Sequence, residues 1–436
     1  MPPRCCIVIL LDGLGDRAYP ELGGKTPLQA ARTPFLDELA AEGCNGLFYP
    51  LRPGLQLPSE NAHFAMFGYD QGEFPGRGYL EAAGANVDLQ PADVALLAHF
   101  VAVERRGVTL HLIRHRPEAT KDEELSLADC VSLYDDDDIV LRYHRTHGLD
   151  GVLVMRGAVS PFITDSDPLE IDNPLIEVAS WRELAGDMMA EQSASVLNRY
   201  LLCCHRQLEA HPINLRRKGR GQLPINGIVT QRAGRWRQVP SFAERWGIKG
   251  LSIASGLVYW GLSSFLELDV LKVEDGADPG RDLAERLRLA LRHSAEYQFI
   301  HVHTKTPDVA GHSKEPRNKV RVIESLDRGI GLVMDALRTE NVVVVVTADH
   351  STPSSGPLVH SGESVPFAAI GPGIRCDMVD RFDEVCCAAG GLGMLRGEDV
   401  MPLVLNWLDR SKLQGLMDSP DNQNYWPGRR KPLMME

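Results

Sequence analysis

No two cysteines of this 436-residue chain stand at C-x-x-C spacing, and the nine present include the adjacent pairs Cys5/Cys6, Cys203/Cys204 and Cys386/Cys387. An odd number arranged this way argues against a disulfide framework and for reduced thiols in a cytoplasm. The N-terminal apolar run, Cys5 to Leu11, is too short to span a membrane and stops at an acid without a cleavage pattern. It reads as a strand, neither a signal peptide nor a membrane span. Positive charge is in deficit, with 46 Lys and Arg against 59 Asp and Glu for a net charge of -13. That balance argues against general binding to nucleic acid or an anionic membrane, and leaves room for a small anionic substrate at a local cationic site. No internal repeat is visible. With 44% hydrophobic and 24% charged residues, the composition is that of a soluble globular protein, too long for one ordinary core.

The chain is organised around NVVVVVTADHSTPSSGPLVHSGESVPF, Asn341 to Phe367. Five consecutive valines suit a strand buried on both faces of a parallel sheet. Asp349 and His350 follow where the apolar run stops, at the carboxyl edge where open α/β sheets bind ligands, and His360 comes after a Ser-, Pro- and Gly-rich loop. A carboxylate with two imidazoles suits Zn2+ or another transition metal. Equally, Asp349 caps a turn and the histidines lie on the surface.

Cys5 to Leu11 repeats the pattern, ending in Asp12-Gly13, and a helix follows from Thr33. In LPSENAHFAMFGYDQ, Ser59 opens a helical segment. It is either an N-cap or a nucleophile held where helix N-H groups favour a phosphate. Residues 77–235 lose the long buried runs and gain charge, which predicts an inserted, smaller α+β domain; Asp135 to Asp138 and Arg216 to Arg220 read as exposed loops. The α/β pattern resumes near Pro240 and leads to a strand expected to end at Asp308, with His312 one helical turn on and Lys305 close by. An exposed helix start would look the same. The expected organisation is a core of residues 1–76 and 236–410, a cap or substrate domain over 77–235, and a polar tail over 411–436 read as a strap or as partly disordered.

Separated strand ends thus supply Asp12, Ser59, Asp308, His312, Asp349, His350 and His360, enough donors for two metal ions in one pocket. Two-metal sites serve displacement at phosphorus, and metal coordination activates a serine hydroxyl. With LLDGLGD, LPSENAHFAMFGYD, GRGYLEAAGANVDL, HPINLRRKGRGQLPINGI, HTKTPDVAGH and VTADHSTPSSGPLVHSGESVPF in order, the chain resembles the archaeal-type cofactor-independent (2,3-bisphosphoglycerate-independent) phosphoglycerate mutases of the alkaline phosphatase superfamily. The resemblance implies an alkaline-phosphatase-like, doubly wound α/β core with an inserted α+β cap. It also implies a phosphoserine on Ser59 and two divalent ions, Mn2+ or Mg2+ with Zn2+ conceivable. Asp12, Ser59, Asp349 and His350 would hold one ion; Asp308, His312 and His360 would hold the other.

Where the chain departs from the family pattern, Leu97, His99, Leu169 and Trp260 stand at positions expected to grip a phosphate and carboxylate. Arg77, Arg116, Arg156 and Lys305 remain as candidate anion contacts. The expectation is a cytoplasmic, metal-dependent phosphomutase interconverting 2- and 3-phosphoglycerate. Its rivals are a phosphatase or phosphotransferase acting on another small hydroxylated metabolite, and a non-catalytic metal-binding relative.

Overall fold

In a computed structural model, which describes residues 4–339, 341–411 and 433–435, the chain folds as two compact units. One comprises residues 1–74 with 239–436, the other residues 75–238. Nearly all of the tail expected to form a strap, 411–436, lies outside the described residues.

The first unit is built on an eight-stranded sheet. In spatial order its strands are Asp269–Lys272, Gly250–Ala254, Phe299–Thr304, Cys5–Leu11, Val342–Thr347, Val365–Ile370, Cys44–Tyr49 and Gly393–Arg396. Cys5–Leu11 runs parallel to both neighbours, and every residue of these three strands is buried, as the apolar and β-branched sequences of Cys5–Leu11 and Val342–Thr347 require, while Phe299–Thr304 also buries His301 and His303. Register then places the chemistry. Leu11 pairs Thr304 and Leu10 pairs Thr347, so the segments carrying Asp12, Lys305 to His312, and Asp349 to His350 leave the sheet side by side at one carboxyl edge. Val365–Ile370 runs antiparallel to both of its neighbours, so the sheet is mixed.

One local expectation changes, and one element was not foreseen. The strand before Asp308 ends at Thr304, and Asp308 lies in the first turn of helix Thr306–His312. Pro307 at the second helical position favours that early start. Between the strands Gly250–Ala254 and Asp269–Lys272 stands a helix, Leu257–Phe265, whose uniformly apolar first residues mask its period.

The second unit carries a six-stranded antiparallel sheet around Val94–Arg106, which pairs with Thr109–His115, Asp150–Gly157 and Gly227–Gly234. The sheet packs with helix Met188–Ala210, whose Asp187 cap accepts from the amides of Met189 and Ala190. The expected loss of buried runs is overturned here, since Val94 to Val103 is almost continuously buried despite His99 in its midst. Asp135 and Asp136 end the strand Leu133–Asp136, not a loop. Arg216 to Gly219 belong to helix Pro212–Gly219, within which Arg217 is buried and donates to the Leu223 and Glu118 carbonyls and the Glu123 carboxylate.

Candidate active site and metal centre

At the carboxyl edge of the central strands, Gly13 has φ +66 and no room for a side chain. A Cβ there would lie 2.5 Å from Thr352 Oγ1 and 2.8 Å from Asp308 Cα. The close approach lets the Gly13 amide donate to Asp349 Oδ1 at 2.9 Å, joined by the His350 amide at 2.9 Å. Asp349 Oδ2 is left buried without a hydrogen-bond partner, 3.2 Å from His350 Nε2.

Ser59 is the first residue of helix Ser59–Met66, behind Pro58. Pro58 holds the N-cap position, and the Ser59 Oγ turns to His350 Nε2 at 2.8 Å and Asp12 Oδ1 at 3.4 Å. His350 Nε2 also stands 3.5 Å from Asp12 Oδ1. Beside this group, Asp308 Oδ1 lies 3.2 Å from His312 Nε2 and 3.6 Å from His360 Nε2. The His350 and His360 rings stack at 3.8 Å between centroids. All seven residues named from the sequence are therefore brought together within the first unit, in two sets that adjoin at Asp308 and His350.

Hydrogen bonds fix which ring nitrogens are free. His360 Nδ1 lies 2.9 Å from the Leu57 carbonyl, which only accepts, so Nδ1 carries the proton and Nε2 keeps its lone pair. Thr352 Oγ1 donates its one proton to Asp308 Oδ1 at 2.7 Å and therefore accepts from His350 Nδ1 at 3.2 Å. Nε2 of His350 is bare as well, facing Ser59. Burial is the main force pushing His350 down to about 3, so the ring is neutral at neutral pH.

The carboxylates diverge. Burial works against the charged form of Asp12, but Lys305, a hydrogen bond from His303 and nearby His350 hold it well below the usual range. Asp308 is likewise lowered against its burial, by His312, His360 and Lys305. Burial together with the charges of Asp12 and Asp308 drives Asp349 well above the usual range. Such crowding calls for a cation. Ligand atoms about 2.1 Å from a tetrahedral ion stand roughly 3.4 Å apart, close to the 3.4 Å from Ser59 to Asp12, the 3.5 and 3.2 Å from His350 to Asp12 and Asp349, and the 3.2 and 3.6 Å from Asp308 to His312 and His360. The bare imidazole nitrogens and the orphaned Asp349 oxygen complete the fit to divalent ions.

Sequence reasoning missed an inner layer. Asp12 Oδ2 accepts from Tyr259 Oη at 2.5 Å and from His303 Nε2 at 3.1 Å. His63, one helical turn after Ser59, donates from Nδ1 to the Ser59 carbonyl at 2.7 Å. Buried Lys319 donates to the Gly15 and Thr352 carbonyls at 2.8 Å each and to Asp16 Oδ2 at 3.2 Å, tying the two ligand loops together. The alternation in FIHVHT, which puts His301 and His303 on one face, was the available signal.

Of the anion-contact candidates, Lys305 reaches the site, 3.6 Å from Asp308 Oδ2 and 3.5 Å from Tyr259 Oη. Arg77, Arg116 and Arg156 lie in the second unit, paired with Glu81, Asp150 and Asp93. Trp260 donates to the Ala254 carbonyl under the Lys272 ammonium. Leu97 is half-buried on its strand, while the Leu169 side chain is exposed.

Residues 4–407 match the Metalloenzyme superfamily. A 2,3-bisphosphoglycerate-independent phosphoglycerate mutase 2 of Methanocaldococcus jannaschii is 39% identical over 97% of each chain. The chain belongs to this phosphoglycerate mutase family within the Metalloenzyme superfamily. A family relative from Methanopyrus kandleri is 36% identical over 93% of this chain and 97% of its own length. Among solved structures, a Pyrococcus horikoshii protein is 31% identical with a TM-score of 0.78, covering 95% of this chain and all of that one. A cofactor-independent phosphoglycerate mutase from Thermoplasma acidophilum is 30% identical with a TM-score of 0.64, covering 94% and 100%. The α/β core with its inserted α+β unit is therefore the fold of the family.

Proposed function

We propose that the chain is a metal-dependent phosphomutase that interconverts 2- and 3-phosphoglycerate through a phosphoserine on Ser59. The observation that carries this reading is the Ser59 hydroxyl, 2.8 Å from a bare imidazole nitrogen in the first turn of a helix whose N-cap position is held by Pro58. Asp12, Ser59, Asp349 and His350 would hold one divalent cation and Asp308, His312 and His360 a second, Mn2+ or Mg2+ by family likeness. When bound, the cations lower the pKa of the serine hydroxyl and neutralise charge on the transferring phosphoryl group.

Ser59 Oγ loses its proton and attacks phosphorus, the bond from phosphorus to the substrate oxygen breaks, and that oxygen takes up a proton. The neighbouring hydroxyl of the retained glycerate then attacks the phosphoserine and restores Ser59. The positive end of the helix that Ser59 opens and the Lys305 ammonium favour the phosphoryl oxygens. Selection of the substrate is assigned, in the same proposal, to the inserted unit of residues 75–238, and a cytoplasmic, glycolytic setting to the whole.

Phosphorus NMR of the protein with 3-phosphoglycerate and Mn2+ tests this. Interconversion of the two isomers without free phosphate is expected, and an inert mixture would overturn the reading. Release of inorganic phosphate would favour a phosphatase, the outcome suggested by Arg116 and Arg156 being already bound to Asp150 and Asp93.

A further inference from the structure

We propose that His99, His115 and Asp167 form an additional metal site, inside the unit of residues 75–238, for a divalent transition-metal ion of the zinc type. None of the three belongs to the donor sets at the core sheet edge. His99 lies within strand Val94–Arg106, His115 ends strand Thr109–His115, and Asp167 belongs to a segment that crosses beside strand Gly227–Gly234.

Three donor atoms converge. His99 Nε2 is 2.9 Å from His115 Nδ1 and 3.7 Å from Asp167 Oδ2, and His115 Nδ1 is 3.9 Å from the same oxygen. A circle through three points at those separations has a radius of about 2.1 Å, the length of a Zn–N or Zn–O bond. An ion near its centre would reach all three atoms without moving any of them.

The surroundings aim the lone pairs inward. His115 Nε2 lies 3.0 Å from the Leu169 carbonyl, so Nε2 carries the proton and Nδ1 is bare. Asp167 Oδ1 accepts the Leu169 amide at 2.8 Å, and Oδ2 accepts Gln231 Nε2 at 2.8 Å. Leu169 adopts φ +66, which lets its amide serve the aspartate and its carbonyl the histidine. Metal-binding histidines and carboxylates are held by just such outer hydrogen bonds.

Since His115 Nδ1 has no proton, His99 Nε2 donates the hydrogen bond between the rings. Ligation would displace that proton to His99 Nδ1 or to solvent. Arg116, whose charge acts on His99, is clamped by both oxygens of Asp150 at 2.7 and 2.9 Å, which offsets its repulsion of an ion. His99 and Asp167 are buried, whereas a quarter of the His115 side chain is exposed, leaving an open fourth position for water or an anionic oxygen. Two imidazoles and one carboxylate suit Zn2+ better than Mg2+ or Ca2+. The bland alternative is a hydrogen-bonded histidine pair beside an acid, and metal counting separates the two.

Full-length protein would be stripped of metal, dialysed against Zn2+, and its bound ions counted by plasma mass spectrometry. His115→Ala, at a partly exposed position, should hold one ion fewer per chain than the unmodified protein, whatever number the core retains. Asp167→Asn, nearly isosteric, should do the same, and Ser59→Ala should keep this ion. With Co2+ in place of Zn2+, the unmodified protein minus His115→Ala should give a visible absorption difference of a low-coordinate site. Equal ion counts and superimposable Co2+ spectra for both folded variants and the unmodified protein would overturn the proposal. That result would leave the phosphomutase reading untouched, because ion count and spectrum do not depend on turnover.

Discussion

Thr352 Oγ1 donates to Asp308 Oδ1 at 2.7 Å while standing 3.2 Å from His350 Nδ1, so one hydroxyl links the two metal-ligand sets and fixes the His350 tautomer. Removing it frees the His350 ring to place its proton on Nε2, facing Ser59. Thr352→Val keeps the shape and removes only this link. Loss of such an outer partner typically costs 10 to 100-fold in metal affinity or activity. Mn2+ titration monitored by calorimetry should show that weakening, and Thr352→Ser should restore most of the affinity. Equal affinity in Thr352→Val would mean that His350 is oriented without its help.

Ser59→Ala separates the nucleophile from the cap. A serine that caps a helix contributes roughly 1 kcal/mol, but here Pro58 holds the N-cap position and the Ser59 hydroxyl faces His350 and Asp12. The variant should therefore melt close to the unmodified protein while phosphoryl transfer falls to background. Near-normal turnover, by a coupled assay or by phosphorus NMR, would remove the phosphoserine from the mechanism.

What the sequence disclosed and what it hid divide along physical lines. Asp12, Asp349 and His350 were legible because an apolar run that ends in a charged residue marks a sheet edge, and parallel order brings such edges together. His303 and Tyr259 were hidden because each sits inside an element that reads as core, and Lys319 because it reads as one more charge on an amphipathic helix. Their polar atoms are satisfied only across the fold, as His303 is by Asp12 at 291 residues' separation. Arg116 and Arg156 show the opposite limit of a sequence: a free arginine and one paired with a carboxylate look alike until Asp150 and Asp93 are seen beside them. The run Val94 to Val103 was obscured by charged flanks and by His99, a buried polar residue whose partners lie on other segments.

Removing divalent ions should lower stability as well as stop turnover. Burial and the charges of Asp12 and Asp308 already drive Asp349 upward, so the stripped site holds mutually repelling carboxylates. An ion that binds only the folded chain adds about 2.7 kcal/mol at a hundredfold excess over its Kd. Thermal melts before and after chelation should differ, and Mn2+ should restore the higher transition. Superimposable melts would sink the assignment of ions to the sheet edge.

Asp327 offers a pH signature away from the metal ligands. It is buried on helix Pro316–Gly331, and its Oδ1 accepts the Phe35 amide at 3.0 Å and the Leu36 amide at 2.8 Å, at the start of helix Pro34–Ala41. Burial raises it from 3.8 to about 6, against the pull of those two amides. Between these values the folded chain keeps a proton that the unfolded chain has lost. Stability from this group is therefore greatest at the acid end, falls as pH rises from about 4 to about 6, and levels off above. Asp327→Asn keeps an acceptor for both amides and removes the titration. Urea unfolding across that range should show the variant gaining on the unmodified protein as pH rises, with the difference constant beyond the upper value. A difference that stays flat from acid to neutral pH would show that Asp327 titrates as it does in the unfolded chain, and that its two amide bonds fully offset its burial.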